Sequence, residues 1–84
     1  MRVLGSEAAC GTTSGAASTF GETDDVRLVN TGSTNRLVTI TDASGNTVAT
    51  FTLIAGEVTF VRKARDEKIF AAHAEVLGVG VVTP

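Results

Sequence analysis

Arg36-Leu37-Val38-Thr39-Ile40-Thr41, then Asp42-Ala43-Ser44-Gly45-Asn46, then Thr47-Val48-Ala49-Thr50-Phe51-Thr52-Leu53 is the stretch that decides the fold. Its first segment alternates, with Val38 and Ile40 on one face and Thr39 and Thr41 on the other, the period-2 pattern of a strand with one buried face. The middle segment holds the residues that tolerate positive φ and bond their own backbone, so it reads as a tight turn. The last segment alternates again, with Ala49, Phe51 and Leu53 on one face and Val48, Thr50 and Thr52 on the other. Together they predict an antiparallel hairpin.

The same grammar extends in both directions. Thirteen Thr, eleven Val and three Ile make up close to a third of the 84 residues, and such side chains are stiff at χ1 and favour a pleated surface. Strands are expected at Arg2 to Gly5, Val26 to Asn30, Val58 to Arg62, Lys68 to Ala72 and Val76 to Val82, separated by turns at Thr31 to Asn35 and Ala55 to Glu57. Residues 7–23, rich in Gly, Ser, Thr and Ala, read as an irregular surface segment. The expectation is an all-β chain, a small antiparallel β-sandwich or barrel of about seven short strands, forming a single domain over residues 1–84. Phe51, Leu53, Val58, Phe60 and Ile69 are the expected core, with Val58 and Phe60 facing inward. A helix over Ala64 to Leu77 is the alternative, because Ile69, Ala72, His73, Val76 and Leu77 also fit a helical spacing.

Composition narrows function by exclusion. The net charge is −2 with a pI of about 5.2, and the one basic cluster, Arg62-Lys63-Ala64-Arg65, runs straight into Asp66-Glu67-Lys68. Nucleic-acid binders carry a positive face that displaces counterions from phosphate, so no nucleic-acid partner is expected. No apolar run is long enough for a membrane helix or a signal peptide, and no membrane partner is expected. Cys10 is the only cysteine and His73 the only histidine, too few for an internal disulfide, a two-His metal site or a triad.

A Cys10–His73 thiolate pair would need basic surroundings that Cys10 lacks. Glu22, Asp24 and Asp25 fit no calcium loop and read as charges guarding a strand edge. Gly78-Val79-Gly80 lacks the third glycine and following helix of a dinucleotide fingerprint. The sequence therefore predicts no catalytic, cofactor-binding or metal-binding residue. With neither Trp nor Tyr, a sugar-stacking platform is disfavoured too. Thr-rich outer strand faces suit docking or edge pairing as well as they suit simple solvent exposure.

A resemblance adds to this. Met1-Arg2-Val3-Leu4-Gly5, Val26-Arg27-Leu28-Val29-Asn30-Thr31-Gly32, the hairpin strands Val38-Thr39-Ile40-Thr41-Asp42 and Phe51-Thr52-Leu53, the Gly56-Glu57 turn, Val61-Arg62-Lys63 and Asp66-Glu67-Lys68-Ile69 follow one another in an order that resembles the small β-rich virion proteins of marine tailed bacteriophages, including those of cyanobacteria. The chain departs from that pattern at Val82-Thr83-Pro84, where an aromatic residue is expected. The resemblance implies a particle component: a capsid decoration or cement protein, or else a tail, neck or fibre component. It would be made in the host cytoplasm and carried on the virion, with the major capsid protein, other virion proteins or further copies of itself as partners. Arg2, Val3 and Leu4 in the N-terminal segment, and Arg62, Lys63 and Arg65 in the following loop, are the expected contact residues. A small carbohydrate- or protein-binding module is the remaining alternative.

Overall fold

Strong β-branched runs pair into two antiparallel sheets in the computed structural model, which describes residues 2–82. The strands are β1 (Arg2–Val3), β2 (Ala8–Ala9), β3 (Asp25–Asn30), β4 (Arg36–Thr41), β5 (Thr47–Leu53), β6 (Val58–Arg62), β7 (Lys68–Ala71) and β8 (Val76–Val82), with a short 3-10 turn at Ser14–Ala16. The larger sheet runs β1-β8-β3-β6, with β2 also on β8, and the smaller runs β5-β4-β7. The whole measures 29 × 29 × 18 Å, the thickness of two sheets packed face to face with their side chains. The chain is thus the all-β sandwich its alternation implies. Ala64 to Leu77 holds a turn, β7, a loop and the start of β8 rather than a helix.

The hairpin forms as its sequence requires. Asp42 Oδ1 accepts the Ser44 and Asn46 amides, both at 2.9 Å, and Gly45 takes a φ of 92° that side chains resist. A register shift between Ile40 and Thr41 marks a bulge where the turn begins. Val38, Ile40 and Leu53 point inward to join Val26, Leu28, Ile69, Ala71, Val76 and Cys10 in the buried cluster, with Phe20, Phe51 and Val61 packed against it.

β6 corrects the expected core. Its inward residues are Thr59 and Val61, while Val58 and Phe60 face outward, 44% and 53% exposed. The turn sets this parity. Asn30 donates its amide to Glu57 O and accepts from the Gly56 amide, which fixes Glu57 opposite Asn30. Thr59 and Val61 then fall opposite the buried Leu28 and Val26, and the alternation places Val58 and Phe60 on the far face.

Residues 7–23 also do more than cross the surface. β2 pairs with β8, Cys10 enters the core at 2% exposure, and Gly11 and Ser18 bridge to Phe70 and Ile69 of β7. The segment therefore joins the edge of one sheet to the edge of the other and closes that side of the sandwich. On the opposite side β5 and β6 end their sheets. Among the described residues no strand pairing or bridge joins β5 to β6; the Ile54 to Glu57 turn links them, and that side stays open.

Candidate interaction surface

The end of the sandwich where β3 starts and β6 and β8 finish carries a cleft of about 470 Å³, lined by Leu4, Gly21 to Asp25, Arg62, Arg65, Val81 and Val82. Three of the expected contact residues, Leu4, Arg62 and Arg65, meet there although they are far apart in sequence. Pairing explains the meeting: Arg2 and Val3 lie opposite Val82 and Val81 of β8, and Asp25 lies between Val81 and Arg62 in adjacent strands. Arg2 and Val3 are exposed on the neighbouring sheet edge.

Charge organises the cleft. Arg62 grips Asp25 with two bonds, Nε to Oδ1 at 3.2 Å and Nη2 to Oδ2 at 3.3 Å, and Arg65 Nε reaches Asp24 Oδ1 at 3.2 Å. Both arginine side chains remain 77% exposed, so these pairs orient the guanidinium groups more than they stabilise the fold. Asp24 and Asp25, weighed as calcium ligands, are engaged by arginine instead. Among the described residues no cluster of His, Cys, Asp and Glu is arranged to hold a metal ion.

Lys63, the remaining contact candidate, lies inside. It is 6% exposed, and its Nζ donates to the carbonyls of Thr23 at 2.8 Å, Ala64 at 3.3 Å and Arg65 at 3.4 Å. Burial pulls its pKa below the usual lysine value, partly offset by Glu67, Asp24, Asp66 and Glu22. Its role is to fasten the loop that presents Arg62 and Arg65. The polar flanks of Lys63 gave no sign of this in sequence.

The wall of the cleft is unusual backbone. Phe20, Gly21 and Glu22 all have positive φ, at 53°, 79° and 58°, a left-handed turn that costs the two non-glycine residues roughly 1–2 kcal/mol each. Side-chain oxygens hold it: Ser18 Oγ accepts the Phe20 amide and Thr19 Oγ1 accepts the Glu22 amide.

The other groups weighed for chemistry are placed differently. His73 lies in the β7–β8 loop, where Nδ1 accepts the Glu75 amide at 3.1 Å. Glu75 in turn pairs with Arg36. Burial pushes the Cys10 thiol up to about 11, the opposite direction from an activated nucleophile.

A second surface was not legible in the alternation: the outer face of the larger sheet is substantially apolar. Across the strands Val3, the covered Val81, Asp25 and Arg62 form one row, the covered Val79, Arg27 and Phe60 the next, and Ala9, Leu77, Val29 and Val58 the third. Glu7 and Arg27 form an ion pair that spans β8 at the level of Val79. That leaves Val58 and Phe60, toward the free edge of β6, as the exposed large apolar side chains of the open side of this face.

Comparisons with protein-family models, with curated proteins and with solved structures return no match for this chain. No helix among the described residues is long and apolar enough to cross a membrane.

Proposed function

We propose that this chain is a bacteriophage virion structural protein, a capsid decoration or cement protein that attaches to the shell exterior through many weak contacts. The virion context rests on the sequence resemblance. The observation that supports a contact-making role is the meeting of Leu4, Arg62 and Arg65 at one cleft, with both guanidinium groups exposed and oriented by Asp25 and Asp24. Planar guanidinium donors suit carboxylates and carbonyls on a protein partner such as the major capsid protein. A small domain present in many copies needs only modest affinity per site, because linked sites bind with a high effective concentration.

The test is the copy number of this chain per major capsid subunit in purified particles, measured by quantitative mass spectrometry. A fixed ratio near that of the shell protein is the expected result. A handful of copies in multiples of three, five, six or twelve would move the chain to a tail, neck or vertex. Absence from particles would overturn the virion reading and leave a binding module with a different partner.

A further inference from the structure

β6 ends the larger sheet, and its backbone shows which groups face outward. Asn30 donates to Glu57 O, and Lys63 donates to Asp24 O. In an antiparallel pair the bonded residues alternate, so Glu57, Thr59, Val61 and Lys63 bond to β3. The N–H and C=O groups of Val58, Phe60 and Arg62 therefore point to the free edge. Those same residues carry the outward side chains, and Val58 and Phe60 are among the large apolar groups left exposed.

From this geometry we infer that β6 is a self-association edge, which pairs antiparallel with β6 of a second copy about a twofold axis at Phe60. In that register Phe60 faces Phe60 of the other copy, and Val58 faces Arg62, each pair exchanging both its hydrogen bonds. Every outward backbone group of the strand is then satisfied, and the two larger sheets become one. Charge selects the direction. Glu57 precedes the strand and Arg62 closes it on the opposite face, and antiparallel pairing sets Arg62 against Val58 of the other copy, keeping each charge away from its like. Parallel pairing would set like against like. Phe60 and Val58 from the two copies form one apolar strip on the outer face, which is isologous as a twofold contact requires. The other edges differ: β1 has two residues, β7 is bridged by Gly11 and Ser18, and β5 from Thr47 to Leu53, though it exposes Val48, carries no charge to set direction. This inference is independent of the virion reading, because a dimer in solution and a copy number on particles are separate measurements.

The test uses the full chain by sedimentation equilibrium from micromolar to millimolar concentration. The expected result is reversible association to twice the 8.6 kDa chain mass. Phe60→Lys should weaken it about tenfold or more, with an unchanged circular dichroism spectrum. Register is read from single-cysteine variants treated with a short bifunctional thiol cross-linker, since native Cys10 is buried. Phe60→Cys places the two thiols on facing residues about 5.5 Å apart at Cα and should cross-link. Val58→Cys leaves them roughly 14 Å apart and should not. A chain that stays monomeric throughout, a dimer that survives Phe60→Lys, or equal cross-linking by the two cysteine variants would overturn the inference. So would a dimer dissolved by Thr50→Lys on β5 and untouched by Phe60→Lys.

Discussion

Lys63 shows how one residue can be misread from its neighbours. Flanked by Arg62 and Arg65, it reads as part of a basic contact loop, yet it is buried and bonded to three carbonyls. Long charged side chains enter a fold when their ammonium meets enough oxygen acceptors, and a sequence does not show where carbonyls converge. Lys63→Met keeps the length and removes the donor, leaving the Thr23, Ala64 and Arg65 carbonyls without it. The expected cost is about 1–3 kcal/mol in urea unfolding at pH 7. The pH dependence has a definite sign. Burial lowers the Lys63 pKa from its ordinary 10.5, so near that range the unfolded chain binds more protons than the folded one. The penalty of burying the charge is full below the folded pKa and is relieved as pH rises toward 10.5. Relative to Lys63→Met, the wild-type chain should gain stability over that alkaline window. A variant as stable as wild type at pH 7 would show that the three bonds contribute nothing net.

Among the elements, β8 depends on what it lacks. Gly78 and Gly80 face inward, and a Cβ on Gly78 would lie 2.8 Å from the Phe20 ring and 2.9 Å from Leu28 Cδ2. The left-handed turn at Phe20 drops that ring into the space the glycine leaves. Gly78→Ala should therefore destabilise by roughly 1–3 kcal/mol through overpacking, and Phe20→Leu in the same chain should recover part of the loss. Thermal unfolding of the two single variants and the double variant measures this, and purely additive losses would rule out the contact as the cause. In sequence Gly78-Val79-Gly80 is visible only as a strand interrupted by glycines, because the ring that fills it comes from Phe20, more than fifty residues away. The β4–β5 hairpin was legible for the opposite reason: alternation, turn chemistry and partner are all local. β6 lies between these cases. Its existence follows from Val58-Thr59-Phe60-Val61, but both faces of that run offer apolar groups, and bonds from Asn30 to the preceding turn decide which face is buried.

On the scale of the whole molecule, the two sides of the sandwich are built differently. β3 pairs with β8 and β6, and β4 with β7; apart from the hairpin these are non-local partners that composition and period do not specify. The contact cleft inherits that illegibility, since Arg62 and Asp25 become neighbours only through the β3–β6 register. The irregular look of residues 7–23 hid their structural task because Gly, Ser and Ala carry little periodic signal, while the bonds that anchor them are backbone bonds. Ser18 and Ile69 exchange both amide bonds, at 3.1 and 2.9 Å, and the Ala71 amide reaches Gly11 O at 2.9 Å. Cys10 sits under that closure, so its thiol reports on it. At neutral pH a thiol with a pKa pushed up to about 11 and no solvent access should resist labelling until the segment opens. Ser18→Pro removes the amide donated to Ile69 O and loosens the closure on the β7 side. Cys10 should then label at least about tenfold faster at pH 7.5, a shift of roughly 1.4 kcal/mol in local opening, at temperatures where the circular dichroism spectrum remains native. Labelling that rises only in step with global unfolding would mean that this side opens together with the rest of the sandwich. Faster labelling below the transition would identify residues 7–23 as a separately yielding seam, opposite the β5–β6 side that the chain leaves open.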